Sequence, residues 1–483
     1  MLNESIAGRK YDNQDDFERF KNFVTIVLQK KMNRFNPKFY FFAKEDKNFF
    51  DMEILLFDNQ EVPITVRVKF RRFPTKTDLV KINRKKRLRE DGSFIDEYIK
   101  DNDGEDTSII DLYIHMSEKN REVINLDEYY YRPEFKKTFR MFEDNLDKEE
   151  KIFFLGEAVF NALKEEFPVD YYIYFDTTVE INTDQIYQHS DGLIKLLTNN
   201  FVRLPRKFTF VLGAGVSKRY DMPMWNQLLN NYLIQIKRRI SYNEDYIFEK
   251  IGDTSLIKAQ FVVDNFSQAS SRKGREYAFC RDLKKLFYSK NKYKQLTKST
   301  LRSVVRCIDR NFDKSDGVLT YNYDDLLERT IEVESNRSFQ TIYKDEDLEN
   351  KDVNIYHVHG YLPRKGNLKS EHANSIILSE EKYNFLLNNP MSWQISNQLT
   401  RFRENLCILV GLSISDPSLR RLLESVKMSN STRFHYAIMA KESSDHVPTL
   451  QDILAVTKHF ERIGIHIIWV DNYSDIPAVI DSL

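Results

Sequence analysis

Four short segments between residues 213 and 413 carry the residues with the clearest chemical potential. They are Gly213-Ala214-Gly215-Val216-Ser217, Thr320-Tyr321-Asn322-Tyr323-Asp324, His359-Gly360 and Gly411-Leu412-Ser413. Near-adjacent glycines let a backbone turn tightly and come close to a phosphate. An asparagine amide both donates and accepts hydrogen bonds, and a histidine titrates near neutral pH. These residue types suit a site that holds a dinucleotide pyrophosphate and assists chemistry with a general base.

Apolar runs precede these segments and predict buried strands at Phe208–Leu212, Gly317–Thr320, Asn354–Val358 and Leu406–Val410. Further strands are predicted at Phe434–Met439 and Ile465–Val470, with helix-like segments between the strands and a helical insertion over about 225–310. This alternation predicts an α/β domain with a parallel, doubly wound sheet, whose ligand crevice lies at the carboxyl ends of the strands. Taken singly, each segment is also compatible with an ordinary turn, a helix cap or a core histidine.

Taken in order, these motifs resemble the SIR2 (sirtuin) family, specifically its bacterial SIR2-like branch, over residues 208 to about 470. The GAGxS element is Gly213 to Ser217, and the Gly-Ile-Pro continuation appears as Asp221-Met222-Pro223, with aspartate in place of glycine. The T-x-N-x-D element is Thr320 to Asp324, the HG pair is His359-Gly360, and the G-x-S element is Gly411 to Ser413. The resemblance implies a Rossmann-like parallel sheet.

The resemblance also implies NAD⁺ as substrate and cleavage of its nicotinamide–ribose bond. It assigns catalysis to Asn322, His359 and Asp324, with His359 as general base, Asn322 fixing a ribose hydroxyl or the attacking water, and Asp324 orienting the Asn322 loop. The residues expected to contact NAD⁺ are Gly213, Ala214, Gly215, Ser217, Pro223, Thr320, Gly411 and Ser413.

The cysteines separate the branches of that family. Sirtuin deacylases carry a zinc ribbon with paired cysteines, whereas Cys280, Cys307 and Cys407 are isolated and form no CxxC pair. We therefore expect neither zinc nor another metal in this half. Water is then favoured as the acceptor, giving ADP-ribose and nicotinamide, although a cyclic product stays open. SIR2-like domains fused to a second domain resemble anti-phage effectors that deplete NAD⁺ in abortive infection.

The segment 1–190 predicts a separate α+β domain, with the SIR2-like domain over 191–483. A helix is expected over Asp16–Met32, strands at Phe39–Ala43, Met52–Phe57, Val62–Phe70, Ile109–Met116, Val123–Leu126 and Tyr171–Phe175, and mostly helix over Glu134–Glu166. Asp51, Glu53 and Arg67-Val68-Lys69 resemble the metal-binding strands of restriction-endonuclease-like nucleases. Arg67 stands where that family has an acidic or amide ligand, and a guanidinium repels a cation, so a degenerate, binding-only nuclease fold or a plain hairpin is expected.

Composition gives no global preference for a partner, because 73 Lys and Arg balance 73 Asp and Glu. The N-terminus has no secretory signal and no apolar run has transmembrane length, so a cytoplasmic protein is expected. A basic segment over Lys81–Arg89 offers a surface for a phage protein, nucleic acid or a second copy of the chain. We expect the N-terminal domain to sense infection and a homo-oligomer to switch the enzyme by reshaping loops such as Lys218–Pro223.

The alternative function is a non-catalytic module that binds NAD⁺ or ADP-ribose and regulates a nucleic-acid-binding or nuclease-like N-terminal domain.

Overall fold

The computed structural model describes residues 163–175, 181–203, 206–266, 272–289, 299–346, 348–429, 434–442 and 447–483. Toward the N-terminus it also describes helical residues 19–27 and 30 and the backbone of five strands. The chain divides into two compact units, one of residues 1–204 and 450–458 and the other of residues 205–449 and 459–483. The predicted segments Val123–Leu126 and Lys81–Arg89 lie outside the described residues, as does Asp51.

The first unit contains a mixed sheet with the strand order β1-β2-β3-β4-β5. Its strands are β1 (Phe42–Lys44), β2 (Met52–Phe57), β3 (Pro63–Arg71), β4 (Ser108–His115) and β5 (Ile152–Leu155). β1, β2 and β3 pair antiparallel, whereas β3, β4 and β5 pair parallel. The register sets Arg67 opposite Glu53 on one neighbour and opposite Asp111 on the other. Opposite charges directly across two strands stabilise the pairing of those strands, so Glu53, Arg67 and Asp111 are explained without a metal. The nuclease-like fold stays a prediction.

One expectation for this unit is wrong. Tyr171–Phe175 belongs to a helix, α1 (Pro168–Phe175), which α2 (Thr183–Arg203) follows. Its large apolar residues are typical of a strand, but Tyr171 and Phe175 both pack against Phe23, in the helix over 19–27, with ring centroids 5.7 and 5.6 Å away. Within Glu134–Glu166, which was expected to be mostly helical, the structure describes the short strand β5 and helical residues 163–166.

The second unit is built on an all-parallel sheet with the strand order β12-β11-β10-β6-β7-β9-β8. Its strands are β6 (Phe208–Leu212), β7 (Ser315–Thr320), β8 (Phe339–Ile342), β9 (Val353–His357), β10 (Leu406–Val410), β11 (His435–Ala440) and β12 (Ile465–Val470). The predicted Rossmann-like α/β fold is confirmed. β8 was missed because it is a short edge strand in which only alternate residues are buried.

Helices lie between most of these strands along the chain, because parallel strands need crossover connections. Those between β6 and β7 confirm the helical insertion: α3 (Trp225–Arg239), α4 (Glu244–Ile251), α5 (Ser255–Phe266), α6 (Arg272–Ser289) and α7 (Thr300–Arg310). The others are α8 (Leu326–Glu334), α9 (Ser370–Ser375), α10 (Glu380–Asn388), α11 (Trp393–Glu404), α12 (Pro417–Ser429), α13 (Leu450–Arg462) and α14 (Ile476–Asp481). Every residue of β6 and β10 is buried, as expected for central strands covered on both faces.

The strand order creates a switch point between β6 and β10. From β6 the chain builds outward through β7, β8 and β9, and it then returns to the other side of β6 with β10. Loops after two strands that diverge in this way leave a crevice at the carboxyl edge of the sheet. The glycine-bearing segments after β6 and β10 both lie at this switch point.

Candidate functional site

The loops at the switch point are packed tightly against each other. A Cβ atom on Gly213 would lie 2.6 Å from the Gly411 carbonyl oxygen, and one on Gly215 would lie 2.8 Å from the Gly411 Cα. Gly411 itself has φ +68°, where a side chain is strained. The N–H groups of Gly213 and Gly215 donate to the carbonyl oxygens of Val410 and Gly411 at 3.1 and 2.9 Å. These glycines therefore allow the close approach of two loops, and both of these backbone donors are already paired.

Ser217 lies in a 3₁₀ helix, Ala214–Tyr220, and joins two other candidate residues. Its hydroxyl donates to Asp324 Oδ2 at 2.9 Å and accepts from Asn322 Nδ2 at 3.0 Å. Asp324 Oδ1 also accepts the Leu326 N–H at 3.1 Å. Burial raises the pKa of Asp324 to about 6, against the opposing effect of the Leu326 and Ser217 hydrogen bonds. Ser217 thus orients the Asn322 amide, and Asp324 orients Ser217.

The backbone of Asn322 is held as firmly as its side chain. Its N–H donates to Thr320 Oγ1 at 3.1 Å, and its carbonyl oxygen accepts from His357 Nδ1 at 2.9 Å. His357 Nε2 lies 2.7 Å from Glu328 Oε1. Burial acts to lower the pKa of His357, but the Glu328 carboxylate and the Asn322 carbonyl outweigh it, so that the pKa is raised. Both ring nitrogens then donate, and His357 is a charged structural support for the Asn322 loop.

His359 lies two residues further along and has different surroundings. It is 4% exposed, and its Nε2 has no hydrogen-bond partner among the described residues. Asp416 Oδ2 is 3.7 Å from this nitrogen, and the Tyr383 hydroxyl is 3.5 Å from Nδ1. Burial lowers the pKa of His359, and the nearby Asp416 carboxylate only partly opposes this. His359 is therefore a neutral imidazole at pH 7, with a free ring nitrogen.

Tyr383 links His359 to Asp416. Its hydroxyl donates to Asp416 Oδ2 at 2.5 Å, while Asp416 Oδ1 accepts the Leu419 N–H at 2.9 Å and the Ser418 hydroxyl. Burial acts to raise the pKa of Asp416, but these donors together with His359 hold it lowered. The ionised Asp416 fixes the Tyr383 hydroxyl beside the imidazole.

Tyr321 connects the His359 cluster to the Asn322 loop. Its ring meets the imidazole edge-on, with centroids 4.6 Å apart, and its hydroxyl donates to Gln398. The Val358 N–H donates to the Thr320 carbonyl oxygen at 3.1 Å. The structure thus places Ser217, Asn322, Asp324 and His359 in the segments that follow β6, β7 and β9, which are consecutive strands of the sheet.

Other predicted residues lie at the margin of this group. Pro223 is half-buried in the turn before α3, and Asp221 has φ +59°, a left-handed conformation that aspartate tolerates better than most residues. Ser413 is exposed, and its hydroxyl bonds with that of Ser415 at 2.7 Å. The structure gives these residues no contact with the Asn322 or His359 side chains in the described part of the chain.

No role was predicted from the sequence for His357, Glu328, Tyr383 or Asp416. An available signal was the His-x-His spacing, which sets both histidines at the end of β9. Asp416 follows the Gly411-x-Ser segment directly, where an aspartate before Pro417 caps α12. Tyr383, in the middle of α10, gave no signal.

Within the described residues, no group of His, Cys, Asp and Glu side chains has an arrangement that could hold a metal ion. The helices that the structure describes include none that is both long and apolar enough to span a membrane.

Comparison with known proteins finds a domain family and a relative that this chain resembles. Residues 316–463 match the SIR2-like domain family, a range that includes Asn322, Asp324 and His359 but not the Gly213 loop. The chain is also 28% identical over 317 residues to Defense-associated sirtuin 2 of Bacillus subtilis, an alignment that covers 63% of this chain. It covers 27% of that protein, so the chain spans about a quarter of this relative's length. The predicted SIR2-like resemblance is confirmed.

Proposed function

We propose that the second unit hydrolyses NAD⁺ at the nicotinamide–ribose bond and releases ADP-ribose and nicotinamide. The observation that carries this proposal is the neutral, buried His359, whose Nε2 is unpartnered among the described residues. A general base must be unprotonated and must have a nitrogen available for the reacting proton. Asn322 follows β7, the strand next to β9 in the sheet, and its side-chain amide is fixed by Ser217. This adds to the argument, since an amide can orient water or a ribose hydroxyl.

In this reaction a water oxygen bonds to C1′ of the ribose, and the bond from C1′ to the nicotinamide nitrogen breaks. The bonding electron pair goes to the nicotinamide ring and neutralises its charge, while the water proton passes to His359. The ribose passes through an oxocarbenium-like state, as in glycoside hydrolysis. Asn322, held by Ser217 and by His357, orients the water or a ribose hydroxyl. Asp416 stabilises the imidazolium that forms at His359.

Access to this site requires movement of the surrounding loops. Asn322 is 8% exposed, and its amide is bonded to Ser217 of the 3₁₀ helix. Opening therefore requires displacement of the Ala214–Tyr220 segment, and such a closed state suits an enzyme that must be held inactive in its host. We propose that activation displaces this segment.

We further propose an anti-phage role, supported by the similarity to a protein named as a defense-associated sirtuin. Depletion of NAD⁺ on infection would follow from the reaction above. The N-terminal unit is proposed as the sensor of a phage protein or nucleic acid, with switching through a homo-oligomer in the cytoplasm.

The test is release of nicotinamide and ADP-ribose from NAD⁺ by the purified full chain, alone and in lysates of phage-infected cells. His359→Ala and Asn322→Ala should abolish release. His466→Ala is a matched control. His466 is also a buried histidine, and its Nδ1 lies 2.7 Å from Glu461 Oε1, in a different part of the sheet from this site. If the wild-type chain binds NAD⁺ in calorimetry but releases no nicotinamide in either setting, the alternative of a non-catalytic NAD⁺-binding regulator replaces this proposal.

A further inference from the structure

A cavity lies beside His357, since Glu328 and Tyr361 line it and both contact His357. It has a volume of about 490 Å³ and is lined by residues of α8, the Phe339 end of β8 and the segment after His359. The lining residues are Asp325, Glu328, Arg329, Glu332, Val333, Phe339, Tyr361, Pro363, Arg364 and Lys365. A volume of this size suits a small organic molecule rather than a bare ion.

Two carboxylates in this lining each have one unused oxygen. Glu328 Oε2 and Asp325 Oδ1 are buried and have no hydrogen-bond partner among the described residues. The other oxygen of each is used: Glu328 Oε1 by His357 and Thr341, and Asp325 Oδ2 by the Arg364 N–H. A buried acceptor without a donor is costly, and burial also raises the pKa of Asp325. Both acceptors therefore favour a ligand that brings hydrogen-bond donors.

The positions of the two carboxylates favour a forked donor. Asp325 directly precedes α8, where its side chain makes no capping hydrogen bond, and Glu328 lies in the first turn of the helix, three residues further on. Side chains at this spacing are near each other at the start of a helix. A guanidinium group presents several N–H donors in one plane and can bond two carboxylates at once. The same cavity is also lined by Arg364 and Lys365, which suit an anionic group at the other end of the ligand.

We propose that this cavity binds a small guanidinium compound that also carries a carboxylate. The guanidinium contacts Asp325 and Glu328, and the carboxylate contacts Arg364 or Lys365. The ligand lies against Tyr361, whose ring is 4.7 Å from that of His357.

Occupancy of the cavity reaches the Asn322 loop through His357. Glu328 and Tyr361 both contact His357, and His357 bonds the Asn322 carbonyl oxygen. A donor on Glu328 Oε2 draws negative charge away from the oxygen that holds His357, and so loosens the Asn322 loop. This regulatory step rests on the proposed NAD⁺ hydrolysis, whereas binding itself does not.

Binding is tested by calorimetry on the full chain with Nα-acetyl-arginine and Nα-acetyl-citrulline. The two probes share the carboxylate and differ in having a guanidinium or a neutral ureido group. We expect Nα-acetyl-arginine to bind at least about 10-fold more tightly, because hydrogen bonds to charged groups contribute about 1.5–3 kcal/mol. Equal affinities, or no binding of Nα-acetyl-arginine, would overturn the proposal.

Variants locate the site. Asp325→Asn removes the negative charge and replaces one carboxylate oxygen by an N–H donor. It should weaken the binding of Nα-acetyl-arginine by about 10-fold or more. Val333→Phe fills the cavity from a residue that is 49% exposed, so the fold tolerates it, and binding should be lost. Asp253→Asn is the matched control, since Asp253 pairs with Lys258 outside the lining, and its affinity should be unchanged. Unchanged affinity in Asp325→Asn and Val333→Phe would place binding elsewhere and refute the assignment.

Regulation is read separately, as the dependence of nicotinamide release on Nα-acetyl-arginine. Wild-type turnover should change with the probe, and turnover by Val333→Phe should not. If the probe binds but turnover is insensitive to it, the coupling is wrong and the binding site stands. If no nicotinamide is released under any condition, the proposed hydrolysis is wrong. Calorimetry still shows whether the cavity binds the probe.

Discussion

His357 and His359 lie two residues apart at the end of one strand, yet their surroundings drive them to opposite protonation states. His357 contacts Glu328 at 2.7 Å and the Asn322 carbonyl at 2.9 Å, and its pKa is raised. His359 is 3.7 Å from Asp416 with no hydrogen bond between them, and its pKa is lowered. Both are buried, so desolvation acts on both. The difference shows that a direct charge-assisted hydrogen bond outweighs burial, whereas a carboxylate about one ångström further away does not.

The largest expected effect is on catalysis by His359. His359→Ala should lower the rate of nicotinamide release by about 10²–10⁴-fold, because loss of a general base has that cost. The same variant should cost less unfolding free energy than removal of His357, since no short ion pair is broken. Rates and urea denaturation on the same preparation provide the measurement. Retention of the wild-type rate would remove His359 from the mechanism.

The converse change is His357→Ala, which should act mainly on stability. It leaves the buried Glu328 carboxylate without its cation, and breaking such a pair costs about 3–5 kcal/mol. The double variant His357→Phe with Glu328→Gln should recover part of this loss, because no charge is then left buried. Urea midpoints measure both; a His357→Ala chain as stable as the wild type would show that the pair contributes nothing to stability.

The raised pKa of His357 predicts a pH dependence of stability. The folded state holds this proton more tightly than the unfolded state, so the pair contributes fully below the ordinary histidine pKa near 6.5. The contribution is lost as pH rises from there through the raised pKa. Denaturation from pH 6 upward should therefore show falling unfolding free energy. In His357→Phe this decline should be smaller, and an identical decline in both chains would assign it to other groups.

A smaller effect is expected from Asp416→Asn. Asp416 partly opposes the lowering of the His359 pKa, so removal of its charge should lower that pKa further. The acidic limb of the rate profile should move to lower pH, with a modest change in rate at pH 8. The rate at saturating NAD⁺ as a function of pH measures the shift. Movement of the acidic limb to higher pH would show that the Asp416 charge does not raise the pKa of His359.

The smallest effect is expected from chelation. EDTA should leave nicotinamide release unchanged, since the proposed reaction uses only side chains and water. Loss of activity that Zn²⁺ or Mg²⁺ restores would show that a metal takes part.

Local pattern predicted much of the second unit because its strands are short apolar runs that stay buried on both faces. β6, β10 and β12 have the predicted bounds, and the motif residues follow the strands as expected. The edge strand β8 and the helix α1 were not predicted. In β8 only alternate residues are buried, so the sequence has no continuous apolar run there. In α1 the large apolar residues have a composition that is typical of a strand.

The candidate site divides in the same way. The sequence by itself indicated that Ser217, Asn322, Asp324 and His359 follow strands at a ligand crevice, because motif order and strand alternation are local properties of the chain. Only the tertiary structure decided that β6, β7 and β9 are consecutive strands of the sheet. Only the tertiary structure decided that Ser217 bonds Asn322 and Asp324, and that the glycines serve close packing of two loops. It also decided which histidine is charged, since a pKa depends on the distance to groups such as Glu328 and Asp416 that are remote in sequence and become neighbours only when the sheet forms.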